Sequence, residues 1–286
     1  MMHNEQKVTD SIYWIGANDF VTPRFDNLVP LPQGISYNTY FIDDEKTCVL
    51  DGIDNACRDI FMDNLSYLLK GRALDYIIIN HMEPDHSGSL LALAEAHPQA
   101  KIIASPQAIK MFEQFFHVSF KDRTILSDEK MVLDLGVHKL RFIKAPMVHW
   151  PEVTFTYDET DKVLFSADAF GTFGAIHGSI FADAVDYADV RGRPSLLHEY
   201  DGQVRHAGAF RFEKDRGSSH RHYLFASRAC PSHGEGQGVC DRSREEVGVF
   251  YTGLYVGFHL LRFCLRSYRD GSYSSRDTPR RARCQK

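Results

Sequence analysis

Eight short apolar runs punctuate the first part of the chain: "SIYWIGA", "TYFID", "TCVLD", "YIIIN", "KIIAS", "KLRFIKA", "TFTYD" and "KVLFS". Each has the length and the β-branched or aromatic content of a strand. Between them, residues 57–69, 88–96 and 106–116 carry apolar side chains at intervals of three and four, the spacing of a helix with one buried face. Strands alternating with such helices predict an α/β (or α+β) layered domain. The chain has no internal repeat of fixed period and no low-complexity linker.

The pattern changes near Val190. Residues 1–190 contain 5 Arg and 10 Lys, whereas residues 191–286 contain 16 Arg and 2 Lys, with clustered Ser, Gly and His and little periodicity. Residues 1–190 are therefore expected to form the structured domain, and 191–286 an atypical, arginine-rich, disordered tail. The net charge of −5 argues mildly against nucleic acid as a partner. The polar start "MMHNEQKVTDS" lacks the apolar stretch of a secretory signal, and no run reaches the roughly 20 apolar residues of a membrane span. A cytoplasmic, non-membrane protein is the expectation. Six cysteines without CxxC spacing support neither a disulfide framework nor a zinc knuckle.

Chemistry concentrates where the run "YIII" stops. His81, Glu83, Asp85 and His86 follow within six residues. In an extended segment, residues i and i+2 project to one side, so His81 and Glu83 can serve one metal position. Pro84 then turns the chain and can bring Asp85 and His86 round to a second. The competing reading is a polar loop in which Asp85 or Ser87 caps the following helix. Two further candidates sit at later strand ends, His149 in "KAPMVHWPE" and Asp168 in "VLFSADAFG". A carboxylate such as Asp168 has two oxygens and can bridge two cations.

The spacing "HMEPDH", followed by His149 and Asp168, resembles the metallo-β-lactamase superfamily, and the form with Glu in second place resembles the flavodiiron proteins (A-type flavoproteins). "GISYNTYFIDDEKTCVLDG" is similar to that family's opening hairpin, "HWPEVTFTY" to its second histidine segment and "LFSADAFGTFGA" to its bridging-aspartate strand. The resemblance runs from about residue 5 to 190. It implies a four-layer αββα sandwich, incomplete at its C-terminal end. It also implies that His81, Glu83 and His149 bind one iron, Asp85 and His86 the other, and Asp168 lies between them. The implied activity is reduction of O2 to water or of NO to nitrous oxide. The implied electron source is FMN, supplied in turn by rubredoxin or a flavin reductase, in a head-to-tail homodimer.

An anionic oxygen at position 83 hardens the site and favours ferric iron over zinc, which prefers nitrogen-rich sets. A dinuclear zinc hydrolase and a nonfunctional remnant are the alternative readings. The family continues with a seventh ligand and an FMN-binding flavodoxin domain, neither legible here. His233, in "ACPSHGEG", is a candidate for that ligand. However, the segments "RPSLLHEYDGQVRHAG", "SRACPS" and "VCDRSREEVGVFYTG" can each be back-translated so that a one-base advance reads like the family. A frameshift close to Arg191 would explain this. Under it His233 is accidental, and the ligand would be encoded around Ser227 and Arg228.

Overall fold

The computed structural model of the protein describes residues 3–169, 174–175, 180 and 248–250, all within one compact unit. In chain order the elements begin with β1 (Gln6–Lys7), β2 (Ile12–Trp14), β3 (Ala17–Asp19), β4 (Arg24–Phe25), β5 (Val29–Pro30), β6 (Ile35–Tyr37), β7 (Tyr40–Ile42) and β8 (Cys48–Leu50). Then come α1 (Arg58–Leu69), β9 (Tyr76–Ile79), α2 (Pro84–Ser87), α3 (Leu90–Ala96), β10 (Lys101–Ala104), α4 (Pro106–Phe116) and β11 (Thr124–Leu126). The last group is β12 (Val132–Asp134), β13 (Lys139–Lys144), β14 (Thr154–Asp158), β15 (Val163–Phe165) and β16 (Gly248–Phe250). All eight strands and three helices expected from the pattern are present.

Two sheets organise these elements. One has seven strands in the order β1-β2-β7-β8-β9-β10-β11, and the other has five in the order β12-β13-β14-β15-β16. Strand β9 lies inside the first sheet, parallel to both neighbours, with Ile78 opposite Leu50 and Ile103. A strand covered on both faces must be apolar throughout, hence the unbroken "III". Ile77 and Ile79 face a core shared with α1, α3 and α4, among them Phe61, Leu65, Leu93 and Phe112. Ile78 and Ile103 face the opposite way, into a second core with Leu140, Phe142, Val163 and Phe165 of the other sheet. The described residues thus stack as helix, sheet, sheet. In β13 the alternation is plain, since Leu140 and Phe142 are buried and Arg141 is exposed.

Helix α4 starts where Ser105 Oγ accepts a hydrogen bond from the Ala108 N–H and Pro106 occupies the first turn, a stable N-terminal arrangement. The composition break near Val190 lies outside the described residues, as do His233, Ser227 and Arg228. Of the arginine-rich tail, Gly248–Phe250 is described, paired in parallel with β15. Among the described residues no helix is long and apolar enough to cross a membrane. Cys48 and Cys57 are buried free thiols.

Candidate metal centre

The first sheet delivers four side chains at the end of β9. Here the chain leaves the strand at Asn80, whose N–H donates to Asp51 Oδ1 at 2.6 Å. Glu83 has φ −59° and ψ 147°, and Pro84 opens the one-turn helix α2. Neither Asp85 nor Ser87 caps the next helix. Both lie inside α2, and Ser87 Oγ donates to the Met82 carbonyl at 2.9 Å. The second sheet contributes His149, from the loop between β13 and β14, and Asp168, just past β15. The sheets are tied together beside the site. Thr156 Oγ1 donates to Asn80 Oδ1 at 2.7 Å, and the Thr154 N–H to the Asn80 carbonyl at 3.0 Å.

All six predicted ligands meet, and none is more than 7% exposed. His81 Nε2 lies 3.2 Å from Glu83 Oε2 and 3.1 Å from Asp168 Oδ2. His149 Nε2 lies 2.8 Å from Glu83 Oε2 and 3.1 Å from the same Asp168 oxygen. The other Asp168 oxygen, Oδ1, sits 2.8 Å from His86 Nε2, which is 3.7 Å from Asp85 Oδ2. The ligand atoms form two groups, His81/Glu83/His149/Asp168 and Asp85/His86/Asp168. Asp168 belongs to both.

Two observations test whether cations fit. Ligand atoms at right angles around a metal bonded at about 2.1 Å stand about 3.0 Å apart, and the four imidazole–carboxylate separations of the first group, 2.8 to 3.2 Å, are of that size. In the second group Asp85 Oδ1 is buried and lacks a hydrogen-bond partner among the described residues. Buried polar atoms are rarely left so.

Charge in the metal-free cluster is shared as protons. Burial opposes a charge on His149, but hydrogen bonds to Asp168 and Glu83 outweigh it and push the imidazole up to about 9. Burial likewise opposes charge on His81 and His86, and surrounding carboxylates raise both well above the ordinary histidine value. Burial works against ionisation of Asp168 too, yet His86, His149 and His81 hold its carboxyl well below the usual range. Asp85 goes the other way, raised by burial beyond what His86 offsets. A dication in each position would replace these protons.

Three surrounding carboxylates were not singled out in the sequence. Glu152 Oε1 lies 2.7 Å from His81 Nδ1 and accepts from the Met82 N–H at 2.9 Å. Asp51 Oδ2 lies 3.5 Å from His86 Nδ1. Asp26, in the hairpin between β4 and β5, is exposed, and its carboxyl is raised by partial loss of solvent and by the charge of Glu83. The available signals were the acidic ends of "HWPE" and "TCVLD". Trp150 stands edge-on to the His81 ring, centroids 5.3 Å apart.

Residues 35–230 match the ODP family beta lactamase. The chain belongs to the ODP family. The match runs past Val190, where the basic composition changes. This ODP chain is 36% identical over 186 residues to the anaerobic nitric oxide reductase flavorubredoxin of Vibrio vulnificus, covering 64% of the chain and 37% of that protein. Its fold superposes on the flavodiiron protein from Giardia intestinalis with a TM-score of 0.62 at 28% identity, covering 70% of this chain and 47% of that one. Rubredoxin oxygen:oxidoreductase from Desulfovibrio gigas gives 0.60 at 28% identity, with 72% and 48% covered. The ODP chain therefore spans little more than a third of the flavorubredoxin's length and about half of each solved structure's. Its fold is that of the metallo-β-lactamase-like flavodiiron cores.

Proposed function

We propose that the protein is a diiron oxidoreductase of the flavodiiron type, reducing O2 to water, NO to nitrous oxide, or both. The observation that carries this reading is Glu83, whose carboxylate completes a four-atom group with His81, His149 and Asp168. The anionic oxygen suits iron better than zinc. The names of the relatives, a nitric oxide reductase and a rubredoxin oxygen:oxidoreductase, agree with it. His81, Glu83 and His149 would hold one iron, Asp85 and His86 the other, and Asp168 would bridge them. His233 stays a proposal for a seventh ligand.

When bound, two ferrous ions supply two electrons together, so the substrate is reduced without releasing a radical. The chain's own part is to hold and shield. Burial of the whole ligand set keeps bulk water from the reacting position. Asp168, with one oxygen toward each group, sets the separation of the two positions.

FMN and a rubredoxin or flavin reductase are the proposed electron source, with a homo-oligomer bringing flavin to the metals. A cytoplasmic location fits this assignment. Metal analysis after purification without added metal tests the reading. Two irons per chain, with O2 or NO consumption from a reduced flavin or rubredoxin donor, support it. Two zincs with hydrolytic turnover and no need of reductant would favour the hydrolase, and fewer than two metals without cooperative melting a remnant. The proposed frame change near Arg191 is tested separately by the nucleotide sequence. No family-like frame one base downstream removes it.

A further inference from the structure

We infer that Glu152 and Asp51 are positioning residues that fix the tautomers of His81 and His86 by two different means, one by a shared acceptor oxygen and the other by charge. The inference rests on the metal-binding reading above. A histidine binds a metal through one ring nitrogen only if the proton sits on the other, and the partner of that other nitrogen decides this.

Around Glu152, one oxygen carries both contacts. Oε1 accepts from the Met82 N–H at 2.9 Å and lies 2.7 Å from His81 Nδ1, while Oε2 is buried with no hydrogen-bond partner among the described residues. The backbone is anchored as well, since Ser105 Oγ donates to the Glu152 carbonyl at 2.9 Å. A glutamine can place its amide oxygen where Oε1 stands and keep both hydrogen bonds. Nε2 of His81 then stays free of its proton and turned toward the metal group.

Around Asp51 the two oxygens are divided. Oδ1 is committed to the backbone, 2.6 Å from the Asn80 nitrogen and 3.3 Å from that of His81. Oδ2 faces His86 Nδ1 at 3.5 Å, and neither atom has a hydrogen-bond partner among the described residues. The backbone at Asp51 is left-handed, with φ of +60°, a conformation that asparagine also tolerates. An asparagine would therefore fit, but its amide oxygen would be held by the two N–H groups. Its NH2 would point at His86 Nδ1, so that nitrogen becomes an acceptor and the proton moves to Nε2. Nε2 is the atom 2.8 Å from Asp168 Oδ1, where a metal must bind.

The two isosteric substitutions thus have opposite expected outcomes. The full chain is stripped with chelator and titrated with Fe(II) without oxygen, for wild type and for E152Q, E152A, D51N and D51A. Affinity at each of the two positions and the imidazole nitrogen shifts by NMR are read, with thermal melts of the metal-free proteins to check folding. E152Q is expected to stay within about threefold of wild type at both positions, and E152A to lose roughly 10–100-fold at one. D51N is expected to lose at least as much as D51A at the other position, with the neutral His86 ring, read at a pH above its titration, carrying its proton on Nε2. D51N binding both metals like wild type, or E152Q as damaged as E152A in chains that melt cooperatively, would overturn the inference. Wild type that takes up no metal would instead sink the metal-binding reading itself.

Discussion

The imidazole of His138 donates through Nδ1 to Asp158 Oδ2 across 2.9 Å, with both side chains buried. Its other nitrogen meets Ser11 Oγ at 2.6 Å, so this pair fastens the N-terminal strands to the second sheet. Burial opposes the His138 charge, but Asp158 outweighs it and raises the imidazole above its ordinary value. A group raised on folding stabilises fully below its unfolded pKa of about 6.5 and less as the pH climbs through the folded value. The melting temperature of chelator-treated wild type should fall over that interval, and D158N should show a flatter profile. At acid pH the variant should be less stable by roughly 1–3 kcal/mol. Parallel profiles in a calorimetric pH series would contradict this assignment.

Metal uptake should release protons. His149 is pushed up to about 9 by Asp168 and Glu83, so below that pH a metal must displace its proton, and those on His81 and His86 as well. Affinity is therefore expected to rise with pH through the neutral range, by tenfold or more per unit. Calorimetry in two buffers of different ionisation enthalpy counts the protons.

Glu83→His tests what the carboxylate does. The histidine set is richer in nitrogen and less anionic, so E83H should favour zinc over iron when the two compete. Equilibrium dialysis against equal concentrations gives the ratio. An unchanged iron preference would mean that selectivity lies elsewhere.

Gly88 follows the metal loop, and a Cβ there would come within 2.8 Å of the Asn55 nitrogen and of the Pro84 carbonyl oxygen. Both are backbone atoms, which cannot swing aside. G88A should push α2 out of place, cost roughly 1–3 kcal/mol and lower metal content at the position served by Asp85 and His86. Denaturant titration and metal analysis on the same preparation should move together.

Much of this was legible in the sequence, because short apolar runs with polar ends leave little freedom. "YIII" could only be a covered strand, and its polar continuation had to emerge at a sheet edge. The His81–Glu83 pairing followed from extended geometry alone. The capping alternative for Asp85 and Ser87 failed because Pro84 starts a helix four residues earlier than the apolar pattern does. The ribbons β3–β6 and β4–β5 were missed since Asn18, Asp19, Arg24 and Pro30 interrupt the apolar runs there. Glu152 and Asp51 were missed for a different reason. A carboxylate that binds a ligand's far nitrogen is recognised by three-dimensional contact, and nothing in its local sequence separates it from an ordinary loop acid.

The six proposed ligands come from both sheets, His81 to His86 from the end of β9 and His149 and Asp168 from beyond β13 and β15. Each layer alone offers at most two of the proposed donors to either position. A filled centre is therefore a certificate of assembly, obtainable only by a chain whose two halves have already closed on one another. Ions then act as rivets that resist their parting.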